Sequence, residues 1–151
     1  VTTIPPAVDA LVDVCKAALP GVRVDDGPTV NPYERDEDGV TTGVSVCWDG
    51  EGAGVVADID REPSDGMGSD YETYRIHSTL FKSHGNAETR SLRVLAFEDY
   101  EAIKAELRSR RPLAPGVLRA RMVAVDYEVR PVDGGWDGRL RWAVEVTAFD
   151  R

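Results

Sequence analysis

Apolar residues recur every three or four positions at Val8, Leu11, Val12, Cys15, Ala18 and Leu19, the spacing of one face of a helix. Thr3 is placed to cap that helix, Pro5 and Pro6 suit its first turn, and Pro20-Gly21 stops it. A short strand is predicted over Val22 to Val24, then a loop through DDGPTVNPYERDEDGVTTG, then a strand on VSVCW. Residues 49–70 hold five glycines and seven acids with no sustained period, which predicts one long acidic loop. From Tyr71 to Lys82 the period becomes two: Tyr74, Ile76 and Leu80 share one face, and Thr73, Arg75, His77 and Thr79 the other.

A second helix is predicted from Thr89 to Arg110, with Leu92, Ala96, Tyr100, Ile103 and Leu107 as its apolar stripe. Arg108, Arg110 and Arg111 crowd its C-terminal end, where cations complement the helix dipole, and Pro112 closes it. Strands over Val117 to Val129 and Arg139 to Phe149 flank the turn RPVDGGWDG as a hairpin. Leu140, Trp142, Val144 and Val146 form the inner face of the last strand, so Arg139, Arg141, Glu145 and Thr147 face the other way. Strands of this length run about 35 to 40 Å, which predicts a hairpin tip that projects beyond the core and displays Trp136.

The element order is α, β, β, β, α, β, β. Hairpins with helices segregated from them imply an α+β fold: one domain over residues 1–151, an antiparallel sheet with both helices packed on one face and a long C-terminal hairpin. A chain of 151 residues suits one core. No run approaches a membrane span, and VTTIPPAVDA has neither the basic cluster nor the apolar stretch of a targeting signal, so a soluble protein that stays in the cytoplasm is expected.

Charge changes this picture, because the net −9 is unevenly spread. Residues 1–70 carry 15 acids and 4 bases, net −11, and residues 71–151 carry 12 acids and 14 bases, net +2. Overall acidity argues against wrapping a duplex, whose phosphates it would repel. It suits self-association through complementary patches, or a surface that DNA slides past without sticking.

Candidate chemistry is sparse. Cys15 and Cys47 each sit among apolar neighbours, as buried reduced thiols do, and no CxxC or HxxxH spacing joins them to His77 or His84 as a metal site. His77 is expected on a polar strand face and His84 in the turn before the second helix. There is no GxSxG nucleophile motif. The glycines of DGEGAG lack the following helix and lysine of a phosphate cradle. An EF-hand register from Asp58 would put Pro63 where glycine is required and Ser69 where the bidentate glutamate belongs. No catalytic residue, metal or cofactor is assigned.

The helix ending AALPGVRV, the Asp-Gly-Pro turn, the strand closing on VCWDG, the strand YRIHSTLF, the helix LAFEDYEAIKAELRSR and the final hairpin ending RWAVEVTAFD together resemble the tail terminator proteins of long-tailed actinobacterial phages, a group related in fold to the lambda tail terminator. The likeness extends over nearly the whole chain. It implies a virion structural protein, assembled in the host cytoplasm, that forms a homohexameric ring on the head-proximal end of the tail tube. Such a ring stops tube polymerisation and offers a docking surface to the head-side connector. Its partners would be itself, the major tail tube protein and the connector or stopper protein, with DNA only as passing cargo and no membrane. A head-side neck or stopper protein, and a bacterial α+β ligand- or partner-binding module, are the alternatives. Candidate interface residues are Arg108, Arg110, Arg111, Trp136, Arg139 and Arg141; candidate channel-flanking acids are Asp36, Glu37, Asp38, Asp58, Asp60 and Glu62.

Overall fold

The structure, a computed structural model, describes residues 2–28, 40–52, 54–58, 70–84, 89–132 and 135–150. Helix α1 (Ile4–Ala18) leads into β1 (Arg23–Asp26), β2 (Val40–Val46), β3 (Val55–Asp58) and β4 (Asp70–His84). Helix α2 (Thr89–Ser109) and the strands β5 (Val117–Val132) and β6 (Gly135–Asp150) complete the order. The α+β class holds. One six-stranded sheet runs β1-β2-β4-β6-β5, with β3 beside β2 along the same edge of β4.

Strand β4 organises this sheet. Its C-terminal half pairs antiparallel with β2, from Val46↔Ser78 to Val40↔His84, and its N-terminal half with β3, from Val55↔Ile76 to Asp58↔Thr73. Its other edge pairs with β6 over its whole length, Asp70↔Asp150 to His84↔Trp136. The period of two is therefore enforced from both sides, and Tyr74, Ile76 and Leu80 are buried as the alternation requires.

Both helices lie on one face. Helix α1 packs on β1 and β2, and α2 on β4, β6 and β5, with the helices also touching each other. The α2 stripe Leu92, Ala96, Tyr100, Ile103 and Leu107 is buried as its spacing predicts, against Leu140, Trp142, Val144 and Val146. Thr3 stands at the N-cap of α1, yet its hydroxyl does not cap the helix. It instead bonds the Glu72 carboxylate at 2.6 Å and meets the Tyr74 hydroxyl at 2.9 Å, which ties the start of α1 to β4.

Four expectations are corrected. The sheet is mixed, because β1 and β2 run parallel (Arg23↔Gly43 to Asp26↔Val46), a pairing that a tight hairpin cannot make. The stretch 49–70 is not one loop: Val55–Asp58 forms β3, a strand too short to show a period. VSVCW is not all strand, since β2 ends at Val46 and Cys47 turns away with φ 66°, half-buried rather than buried. His84 is the last residue of β4 and not part of a turn.

The hairpin is also tighter than expected. Pairing continues to Val132↔Gly135, so the strands enclose residues 133–134 alone. Trp136 stands within β6 between Pro131 and His84 rather than on a projecting turn. Pro131 is tolerated because β5 is an edge strand, where a missing N–H breaks no ladder.

Candidate functional site

The sheet face opposite the helices carries a cross-strand ladder of charge. Glu145 on β6 lies between Arg75 on β4 and Arg121 on β5, with contacts of 3.5 and 3.1 Å. Two rows on, past Ala143, Arg141 faces Asp126 at 3.5 Å, reaches Glu128 at 3.4 Å and approaches Glu51 at 3.8 Å. Arg139 packs over the Phe81 ring, 5.4 Å from its centroid, and bonds Asp137 at 3.2 Å. Arg130 bonds Glu128 at 2.7 Å, and its guanidinium holds that carboxyl below the usual carboxylate range. Exposed pairs of this kind contribute little each, about 0–1 kcal/mol, so the ladder mainly sets what this face accepts and rejects.

A shallow cavity of about 220 Å³ opens on the same face, lined by Asp49, His77, Ser78, Asp126, Arg141 and neighbouring apolar residues. Nearby, the Trp48 carbonyl accepts a bond from the Thr79 hydroxyl at 3.0 Å, and the Trp48 ring stands 5.9 Å from that of Phe81. The Ser78 hydroxyl oxygen accepts the Cys47 N–H at 3.4 Å, and the Arg141 guanidinium meets acids through its two terminal nitrogens while its buried Nε has no partner among the described residues. Among the described residues no three His, Cys, Asp or Glu side chains converge on a metal position. Cys15 is buried in the core, and desolvation pushes its thiol up to about 12, away from nucleophilic use.

A second feature lies at the outer edge of the sheet. Between the end of α2 and the start of β5 runs a groove of about 540 Å³, lined by the arginines Arg110, Arg111, Arg119 and Arg121 and an apolar floor that includes Leu107, Leu113 and Val117. Arg110 is taken up by Glu106 at 3.1 Å and Arg121 by Glu145. Arg111 and Arg119 are exposed and have no ion pair among the described residues. Leu118 beside them is 52% exposed. No described strand pairs with the outer edge of β5 along its 16 residues.

The six candidate interface residues therefore fall in three places. Arg110 and Arg111 line the groove; Arg108 is exposed on α2 outside it, near Tyr100. Arg139 and Arg141 sit on the open face, and Trp136, 37% exposed, stands at the opposite end of β6 from the groove. Asp58 ends β3, and its side chain lies outside what is described; Asp36, Glu37, Asp38, Asp60 and Glu62 lie outside the described residues altogether. Arg119 and Arg121 were not singled out by the sequence pattern. The signal for them is their shared parity in β5, which becomes informative once β5 is known to be the edge.

No helix among the described residues is long and apolar enough to cross a membrane. Compared with protein-family models and with curated proteins, the chain matches none.

Proposed function

We propose that this chain is a non-enzymatic virion structural protein of the tail terminator type. It forms a hexameric ring on the head-proximal end of a phage tail tube, ends tube polymerisation and presents a docking surface to the head connector. The observation that carries the reading is the long outer edge of β5, uncovered by any described strand and set beside a charge-patterned open sheet face. A protein that acts by meeting copies of itself and its neighbours needs such surfaces. The resemblance of AALPGVRV, YRIHSTLF and RWAVEVTAFD to tail terminators supplies the particular particle.

The test is tube length. Purified protein added to polymerising tail tube protein of the same phage should give tubes that stop growing at one end, with a ring visible there by electron microscopy. Tubes that lengthen at the same rate with no terminal density would remove the reading.

A further inference from the structure

We propose that the outer edge of β5 pairs antiparallel with the same edge of a second copy of this chain, about a two-fold axis at the bulge in the strand, to give a closed dimer. This goes beyond the ring reading and stands on β5 alone. The strand runs along the border of the sheet for 16 residues, and no described strand covers its outer side, so its backbone is a template for another strand. It also carries its own complement: Arg119 and Arg121 stand before the bulge, Asp126 and Glu128 after it. All four face the open side of the sheet, since they lie opposite Thr147, Glu145, Arg141 and Arg139 of β6, which share one parity.

The bulge is what brings these charges into register. A regular strand paired with itself about a two-fold axis sets residues of equal parity opposite each other, so an odd-numbered arginine could never meet an even-numbered acid. Here the ladder with β6 passes from Met122↔Val144 to Ala124↔Ala143, leaves Val123 unmatched, and changes the open face from odd to even numbers. With the axis between Val123 and Ala124, Arg119 lies opposite the second copy's Glu128 and Arg121 opposite its Asp126, and the symmetry repeats both pairs. The extra residue of one strand falls beside that of the other, so the bulge does not interrupt the match. Sliding by two residues spoils it: one direction sets Arg119 against Arg130, and the other leaves Arg121 against Ala124.

Each face of the joined strands is then consistent. On the helix side Met122 meets Val125 and Ala120 meets Tyr127, all apolar; Ala120, Met122 and Tyr127 pack on the core, and Val125 is 46% exposed in the single chain. On the open side Arg119 has no ion pair among the described residues, and the Asp126 side chain, though 3.5 Å from Arg141, is 70% exposed. Arg121 and Glu128 hold Glu145 and Arg130 in exposed pairs of the kind that contribute little, so a second partner is added at small loss. An isologous contact uses up the edge of both copies, so the pair does not grow. Joining a ring through the same edge would first require it to open.

The experiment is sedimentation velocity of the full chain at low ionic strength, with a thermal melt of each variant as the check on folding. Wild type should exchange between monomer and dimer as its concentration changes. Arg119→Glu sets like charges against Glu128 twice in each dimer and should weaken dimerisation at least about tenfold, and Glu128→Arg alone should do the same. Mixed together, those two variants should form a heterodimer, and one chain carrying both changes should dimerise again, because reversing both members of a pair restores it. If Glu128→Arg lowers the melt, crowded by Arg130 and Arg141, Val125→Lys must weaken dimerisation in the same direction as Arg119→Glu, since that side chain is exposed in the monomer and covered in the dimer. A wild type that stays monomeric at millimolar concentration, association indifferent to Arg119→Glu, or a doubly reversed chain that melts like wild type but does not recover would each overturn the proposal. The tube-length assay reads the terminator function separately, so a monomeric wild type that caps tubes would sink this inference and leave that function standing.

Discussion

At the scale of single residues, the sharpest constraint lies where the chain leaves β2. Cys47 turns with φ 66°, and a Cβ added to Gly54 would stand 2.6 Å from the Cys47 carbonyl oxygen, a backbone atom that cannot move aside cheaply. The Gly54 carbonyl also accepts the His77 N–H at 2.8 Å, which fastens this turn to β4. Gly54→Ala should therefore lower stability by about 1–3 kcal/mol, the usual range for forced overpacking, whereas Gly43→Ala, whose nearest neighbour would be 3.8 Å away, should change it by well under half of that. Denaturant midpoints of the two variants check the contrast. Among the groups whose titration burial delays, Cys15 and Tyr74 are the most strongly shifted. Burial pushes Cys15 from 9.0 and Tyr74 from 10.0, each up to about 12. A folded pKa raised above the unfolded one means the fold favours the neutral form, so this contribution is whole below pH 9 and drains away between pH 9 and about 12. Thermal midpoints should be flat up to pH 9 and fall above it, and Cys15→Ala should make that fall shallower; a midpoint unmoved by high pH would contradict the assignment.

Among elements, a polar contact between described residues of β4 and α2 stands inside a largely apolar interface: the buried Lys82 ammonium meets the Asp99 carboxylate. Removing one partner leaves the other poorly solvated, so Lys82→Met should cost about 1–3 kcal/mol. The double variant Lys82→Met with Asp99→Leu should recover part of that loss, and a double-mutant cycle with no coupling would show that the contact is incidental. The same pair marks what the sequence makes legible. The stripe of α2 and the parity of β4 and β6 stand in the residue order because each element is long and half-buried, so burial repeats its own period. Leu92 to Leu107 and Leu140 to Val146 are buried as that period requires. Strand β3 has four residues and no room for a period, and the parallel pairing of β1 with β2 depends on a crossover that leaves no local mark. Pro131, Gly135 and Gly138 read as a turn but sit in paired strand. Pro131 is allowed by the edge, and at Gly138 a Cβ would lie 3.0 Å from the Lys82 carbonyl oxygen and 3.1 Å from the Tyr127 hydroxyl. Of the candidate site, Arg108, Arg110, Arg111, Arg139 and Arg141 were legible as residues and Arg119 and Arg121 were not, and the division of all of them among groove, helix end and open face follows from strand order.

For the molecule as a whole, the decisive property is that every other strand reaches the core through β4 or through a strand paired with it. The core is continuous as well: Leu11 and Val14 of α1, Val44 of β2, Ile76 of β4, Ile103 of α2 and Val144 of β6 belong to one buried cluster. Such an arrangement has no part that can melt while the rest keeps its buried face, so unfolding should be one cooperative transition. Ile76 is the place to test this, since it is fully buried and lies between Val55 of β3 and Val144 of β6. Ile76→Ala should cost about 2–5 kcal/mol from lost burial and the cavity left behind. Val56→Ala, one position from Val55 but 46% exposed, should fall within about 0.5 kcal/mol of wild type, as isolated surface changes do. Far-UV circular dichroism follows the helices, and tryptophan fluorescence, measured with Trp48 and Trp136 replaced by Phe, follows the buried Trp142 at the centre of β6, so the two probes watch different layers. In the Ile76→Ala variant both curves should move together to the same lower midpoint. A helical signal lost ahead of the fluorescence change would mean that α1 and its strands form a separate unit, and that β4 does not hold the two layers as one.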